Sequence, residues 1–365
     1  MTPGAMGAKA GLGPTGGHTA GRAGSRVDGH GRNRGQGGRG ESLDGVLNVL
    51  KAPGCTSHDV VAAARRLLGV RRIGHTGTLD PGAAGVLVLC VGRATRLVEL
   101  LQDQDKAYRA EMVLGVRTDS QDSFGKPISV QRDMRVSREV LDAVLSRFVG
   151  AIEQVPPMTS ALRHKGRRLY ELAREGVEVE RAPRPVHIAS LRIVRVEPDA
   201  PVLTFGTRVM IDIVCSKGTY VRTLCADIGD ALGCGAYMSF LLRTRSGGFD
   251  LAHARTLEEL EQDLAGGNLP LFGIDDALAH LPVVWLSAEG ARRAAHGQAV
   301  GGRLLAPAGE ARQAHAPAGG TAPAGGSAGS GPVRLKGPDG RLVAVADPVE
   351  TPQGVAFRPR IVWNC

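Results

Sequence analysis

Aromatic residues are scarce in this chain: Phe, Trp and Tyr make up 4% of its 365 residues. Six cysteines (Cys55, Cys90, Cys215, Cys225, Cys234 and Cys365) include no Cys-x-x-Cys pair and have no histidines at ligand spacing, which argues against a metal site. Most of them stand within apolar runs, as small core residues do in a reducing compartment. No run is long and apolar enough to span a bilayer. The basic N-terminus leads into no apolar segment, so no secretory leader is expected. A P-loop is missing too, because Gly125-Lys126 is followed by Pro127 and lacks the upstream glycine. The expectation is a cytoplasmic protein with no membrane contact and no nucleotide cofactor.

Glycine (51 residues) and positive charge (formal net +9) are abundant instead. A basic surface favours a polyanionic partner, without separating RNA from DNA or an anionic membrane. Residues 1–42 are Gly-rich and carry Lys9, Arg22, Arg26, Arg32, Arg34 and Arg39 against Asp28 and Glu41. Nothing there buries enough apolar surface to offset chain entropy, so disorder is expected. The Arg-Gly spacing suits loose RNA contact, and equally an extension with no required role.

From Leu43 the patterning changes. Residues 45–50 read as a strand, Pro53-Gly54 as a turn, and a helix follows with Val60, Val61, Ala64, Leu67 and Leu68 on one face and Ser57 as its N-cap. Residues 86–91 form a short β-branched run suited to a buried strand. Tyr108, Ala110, Met112 and Leu114 alternate along another strand, as do Val209, Ile211, Ile213 and Cys215. Amphipathic helices are expected over 137–148 (Val140, Leu141, Val144, Leu145, Phe148) and after Ser216-Lys217-Gly218-Thr219, closed by Gly233. Strands and helices without strict alternation indicate an α+β catalytic domain over 43–250. The polar, basic stretch 155–185 is expected to project from it, and 251–281 to connect it onward. Beyond residue 282, short strands (283–286, 333–335, 342–345, 355–357 and 361–363) suggest a small β-barrel interrupted by an Ala/Gly/Pro-rich, disordered insertion at 306–332.

The densest chemical signal is Gly74-His75-Thr76-Gly77-Thr78-Leu79-Asp80-Pro81-Gly82-Ala83-Ala84-Gly85. It places one carboxylate in a tight loop just before the buried strand. An Asp beside Pro is commonly a turn residue. Glycines on both sides also permit close approach by another molecule, and one fixed carboxylate suits nucleophilic or proton-transfer chemistry. Hydrolytic glycosidases need two. A carboxylate kept ionised away from water needs a cation, and Arg222 suits that role because guanidinium stays charged when buried. Periodicity alone equally permits a surface Arg222. Tyr108 reads as a core tyrosine or as a ring that stacks on an extruded base, and Tyr220 admits the same two readings. The run Arg163-His164-Lys165-Gly166-Arg167-Arg168 is either a clamp on phosphates or a solvated loop.

Five stretches resemble those of the TruB-type pseudouridine synthases, in family order: 45–57, 74–89 with Gly-Thr-Leu-Asp-Pro, 105–125, 156–176 with Leu169-Tyr170, and 216–243 through Gly233-Cys234-Gly235-Ala236. The resemblance implies the pseudouridine-synthase fold, a central mixed and largely antiparallel sheet flanked by helices. It also implies isomerisation of uridine to pseudouridine at position 55, in the T-arm of tRNA, without a cofactor. Under it Asp80 is the catalytic aspartate and Arg222 its ion-pair partner. Tyr108 stacks on the target base, Tyr220 stands poised for proton transfer, and His75 helps displace the uridine. Leu241 walls the pocket, Lys51 supports it, and Arg163, Lys165, Arg167 and Arg168 contact RNA. The tail is similar to a PUA domain, an RNA-binding barrel, and a monomer is expected. Three positions depart from the family pattern: Ala52 within Lys-Ala-Pro-Gly, Thr159 where Tyr is usual, and Arg163 where Lys is usual. Two other readings remain, a tRNA-folding chaperone that needs no catalysis and an enzyme acting on another RNA.

Overall fold

The computed structural model describes residues 43–160, 162–306 and 331–363. The N-terminal extension 1–42, Cys365 and nearly all of the insertion expected at 306–332 lie outside the described residues.

A nine-stranded sheet forms the centre of the catalytic region. Its main strands are β1 (Gly45–Lys51), β2 (Ala84–Val91), β3 (Lys106–Leu114), β4 (Gly150–Gln154), β5 (Arg184–Glu197), β6 (Arg208–Cys215) and β7 (Ala236–Ser246). They lie in the order β1-β2-β7-β3-β6-β5-β4, with Ile73–His75 added beside β2 and Phe249–Asp250 beside β7. Every pairing along this path is antiparallel except β2 with β7. This is the mixed, largely antiparallel sheet that the resemblance implies.

The buried run of β2 is explained by cover on both faces. Leu87, Leu89 and Val91 pack with Val60, Val61 and Ala64 of α1 (Ser57–Leu68). Val86, Val88 and Cys90 point the other way, into a cluster shared with Val345, Ile361 and Trp363 of the C-terminal sheet. The β3 stripe of Ala110, Met112 and Leu114 joins Val209, Ile211, Ile213 and Cys215 in a third cluster. Where β2 leaves the Asp80 loop, Gly85 has φ +114°, and a Cβ there would stand 2.2 Å from the Arg243 carbonyl oxygen. Only glycine permits the parallel β2–β7 contact at that point.

Two helical details differ from expectation. Thr56, not Ser57, caps α1: its hydroxyl accepts from the Asp59 backbone, and Asp59 returns a bond to the Thr56 backbone. The Ser57 hydroxyl instead turns inward to the peptide of Leu79. In α2 (Arg138–Arg147) Val140 points to solvent, because the buried stripe runs through Leu141, Val144 and Leu145. The next helix, α3 (Val221–Ala231), follows the expected stripe, and Gly233 closes it with φ +75°.

The polar stretch after β4 holds a hairpin (Arg163–His164 with Arg167–Arg168) and a helix (Leu169–Arg174) anchored by buried Leu169 and Leu172. Beyond it, the expected connecting region contains the helix Leu257–Ala265, whose Leu260 packs with Leu47 and Val49 of β1.

The C-terminal sheet is a curled five-stranded half-barrel. Its strands are β8 (Val283–Trp285), β9 (Val300–Gly301), β10 (Val333–Lys336), β11 (Leu342–Thr351) and β12 (Gly354–Val362), in the order β8-β10-β11-β12-β9. An isolated bridge between Leu286 and Leu305 links the regions just past the two edge strands. The two strands expected at 355–357 and 361–363 are one, β12. Pro359 interrupts the sequence pattern but is tolerated beside the bulge opposite Val345 and Ala346. A helix, α4 (Ala288–Ala295), covers this sheet and was not legible, since alanines give its stripe little contrast.

Candidate active site

The Asp80 loop is pinned through its backbone. Lys51, at the end of β1 and 1% exposed, donates from Nζ to the carbonyls of Ala83 (2.6 Å), Ala52 (3.0 Å) and Pro81 (3.3 Å). Arg243, on β7 and 2% exposed, donates to Val86 (2.7 Å), Gly77 (3.1 Å) and Thr78 (3.4 Å). Ser57 accepts from the Leu79 backbone at 2.9 Å and donates to its carbonyl at 3.1 Å. Buried carbonyls must find donors, and here charged groups supply them on both sides of Asp80. The Ala52 departure has little effect on this arrangement, since position 52 contributes a backbone oxygen.

Arg222, in the first turn of α3, places Nη1 3.1 Å from Oδ2 of Asp80 and 3.7 Å from Oδ2 of Asp122. Its side chain is 6% exposed while that of Asp80 is 37% exposed. The cation is therefore enclosed, and the carboxylate shows its free edge to a cavity. Nη2 of Arg222 donates to the Thr159 carbonyl at 3.0 Å, a backbone contact open to any residue at position 159. Burial raises the Asp80 carboxyl above the usual 3.8; the Arg222 charge opposes that, Asp122 adds to it and Lys51 opposes it. The net direction is upward, which marks a perturbed acid in a cleft.

The cavity measures about 250 Å³, and its walls include Tyr108, Tyr220, Leu241 and Arg243 beside Asp80 and Arg222. Tyr108 packs partly on the core and partly lines the cavity. Burial pushes its phenol above 10, so the hydroxyl stays protonated at neutral pH. Tyr220 stands just before α3 with its peptide held by Gln154, whose side-chain oxygen accepts from the Tyr220 N–H (3.0 Å) and whose amide donates to its carbonyl (3.2 Å). Lys106 also reaches this wall; burial lowers its ammonium to about 8, and it donates to the Gln102 and Gln104 carbonyls.

Asp80, Arg222, Tyr108, Tyr220 and Leu241 thus converge on one cavity. Lys51 stands behind the loop. His75 lies outside the cavity walls, its Nδ1 accepting from the Gly77 N–H at 3.3 Å. Burial and Arg243 lower its pKa, keeping the imidazole neutral. The Arg163, Lys165, Arg167 and Arg168 side chains are exposed on their hairpin and do not wall the cavity. Arg167 is paired with Glu175, and the Arg168 guanidinium lies over the Tyr170 ring.

Sequence reasoning missed Asp122, Arg243 and Gln154. A charged residue inside the largely apolar β7 was a usable sign for Arg243. Asp122 lies in a polar turn, and only its spatial pairing reveals it. Among the described residues no three His, Cys, Asp or Glu side chains gather to hold a metal ion.

Residues 65–221 match the TruB family pseudouridylate synthase N-terminal domain, and 222–267 match the tRNA pseudouridylate synthase B C-terminal domain. The chain is 54% identical over 257 residues to a tRNA pseudouridine synthase B of Symbiobacterium thermophilum, covering 70% of this chain and 83% of that one. A protein of the same name from Pelotomaculum thermopropionicum is 46% identical over 324 residues, 87% of this chain and 96% of the relative. Among solved structures, a Cbf5-Nop10-Gar1 complex aligns with TM-score 0.63 at 28% identity, over 87% of this chain and 84% of that one. An H/ACA ribonucleoprotein bound to a substrate RNA containing 2′-deoxyuridine aligns with TM-score 0.64 at 25% identity, over 88% and 85%.

Proposed function

The chain belongs to the TruB family of pseudouridylate synthases, and on that premise we propose that it converts the uridine at position 55, in the T-loop of tRNA, to pseudouridine. The observation that carries the assignment of its site is the Asp80 carboxylate, 3.1 Å from an enclosed Arg222, at a cavity walled by Tyr108, Tyr220 and Leu241.

A uridine in a folded loop presents its glycosidic bond poorly, so the nucleotide is everted into the cavity. The base stacks on Tyr108 against Leu241, and the ribose C1′ faces the open edge of Asp80. The ionised carboxylate drives cleavage, by attack at C1′ or by removal of a ribose proton. The N1–C1′ bond breaks, the base turns, and C5 bonds to C1′. N1 then takes up a proton as C5 releases its own, with Tyr220 placed to handle the latter. Reactant and product are isomers, so the chemistry needs no oxidant, nucleotide or water.

Arg222 has two functions in this scheme. It favours the ionised form of Asp80 against burial, and it fixes the carboxylate position by a charged hydrogen bond. Lys51 and Arg243 hold the loop so that the geometry survives substrate entry. His75, neutral and beside the loop, assists displacement of the uridine. Arg163, Lys165, Arg167 and Arg168 offer a basic edge to phosphates outside the cavity.

We assign residues 43–250 to catalysis, with 155–185 as an RNA-contacting insertion, and 282–365 to a PUA-like RNA-binding unit. The protein acts as a cytoplasmic monomer; among the described residues no helix is long and apolar enough to cross a membrane. The deciding experiment incubates purified protein with an unmodified tRNA transcript and maps pseudouridine. Product in the T-loop is expected, and Asp80→Asn abolishes it while tRNA binding persists. Product from Asp80→Asn would reject Asp80 as the catalytic group.

A further inference from the structure

Phe124 is the most exposed aromatic side chain among the described residues, at 79%. A benzyl group in water needs an explanation when the whole chain carries so few aromatics. Its location supplies one. The ring lies against Gly82, two residues past Asp80, so closely that a Cβ on Gly82 would stand 2.3 Å from it. Two residues span at most about 7 Å between Cα atoms, so the ring stands near Asp80, which lines the cavity.

The backbone that carries the ring is also held. The Phe124 N–H donates to Oδ1 of Asp122 at 3.0 Å, and Oδ2 of Asp122 faces Arg222, which holds Asp80. On its other side the ring touches a loop whose Pro81 and Ala83 carbonyls are gripped by Lys51. Phe124 is therefore a presented aromatic tied to the site from both directions. Lys126, also exposed, adds positive charge two residues away.

We propose that Phe124 is a stacking platform for the base that adjoins the everted uridine in the RNA strand. This rests on the reading of the site given above. Everting one nucleotide removes a stacking partner from its neighbour, and an exposed aromatic face beside the Asp80 loop restores it. The platform favours the strand conformation in which the uridine has already left the stack, and so contributes to capture of the everted state. The neighbouring Ile128 and Val130 are exposed as well, which makes a second copy of this chain the rival occupant.

The test uses the full chain in an Asp80→Asn background with an unmodified tRNA transcript. Phe124→Ala and Phe124→Leu are each expected to weaken RNA binding about tenfold, since leucine keeps the contact with Gly82 but has no π-face, and Phe124→Trp to restore it. The Phe124→Trp fluorescence is expected to be quenched on RNA saturation beyond the change that Trp285 and Trp363 show in the Phe124 parent. Wild-type affinity in both Phe124→Ala and Phe124→Leu, or an unquenched Phe124→Trp, overturns the proposal. So does wild-type affinity in Phe124→Leu alone, which would reduce the ring to a filler over Gly82. A dimer in sedimentation that Phe124→Ala dissolves would assign the patch to self-association and also overturn it. Failure of the functional reading registers separately, as absence of pseudouridine with the wild-type chain.

Discussion

Lys51 and Arg243 grip one loop by its carbonyls from opposite sides of Asp80: Lys51 holds Pro81 and Ala83, and Arg243 holds Gly77 and Thr78. Both cations are buried, and each spends its donors on peptide oxygens. The position of the carboxylate is set by main-chain hydrogen bonds to charged groups, and Arg222 then fixes its orientation.

Lys51→Met is expected to remove the charged donor from the Ala83, Ala52 and Pro81 carbonyls, of which Pro81 keeps the Gly54 N–H and Ala52 the Cys55 thiol. Destabilisation of about 2–4 kcal/mol follows from the loss of these charged hydrogen bonds, and turnover falls on the order of a hundredfold as the loop shifts. Thermal melting and single-turnover rates check both. Lys51→Arg should not rescue, because a planar fork does not fit a point-charge site.

Opposite pH shifts are expected from the two neighbours of Asp80. Arg222 lowers its pKa and Asp122 raises it. Arg222→Met therefore moves the acid limb of the kcat/KM profile to higher pH and cuts the rate on the order of a hundredfold or more. Asp122→Asn keeps the turn bonds to Ser120 and Phe124 and moves that limb to lower pH. Limbs that move the same way in both variants would dissolve the three-residue network.

Asp227, half-buried in α3, reports on stability rather than chemistry. Burial, with Asp230 adding to it, raises its carboxyl from 3.8 to about 6. A raised folded-state pKa contributes stability that is complete below about 3.8 and is lost as pH rises through about 6. Asp227→Asn is accordingly expected to raise Tm by about 2 °C near neutral pH, with the gain vanishing below about pH 4. Scanning calorimetry across that window reads it directly.

Salt dependence separates the residues of the basic hairpin. Lys165→Ala is expected to reduce the slope of log affinity against log salt by roughly 0.7, the value for one single-strand phosphate. Arg167→Ala should change it less, because Glu175 already pairs with that guanidinium.

Much of this architecture was legible because burial imposes a period. The run through β2 and the alternation along β3 and β6 leave few other arrangements, and the glycines around Asp80 mark a loop made for close approach. The partners across the cavity were hidden. Arg222 and Asp122 are 100 residues apart in sequence, and nothing local in either stretch records their pairing. The choice between a core and a pocket Tyr108 was undecidable from period, since the ring does both. Thr56 and Ser57 are both hydroxyl residues, and only the fold assigns one to the helix end and the other to Leu79.

The C-terminal half-barrel is welded to the reverse side of the strand that leaves the Asp80 loop. Val345, Ile361 and Trp363 share one apolar interior with Val46, Val86 and Val88, while Arg96 donates to the Val362 carbonyl at 2.7 Å. Such a joint couples the half-barrel to β2 through one continuous apolar cluster. Under the function proposed above, an RNA reaching both the half-barrel and the Asp80 cavity meets them at a spacing that this shared core sets. Cutting the chain near residue 282 would strip the backing from β2 and distort the cavity from behind.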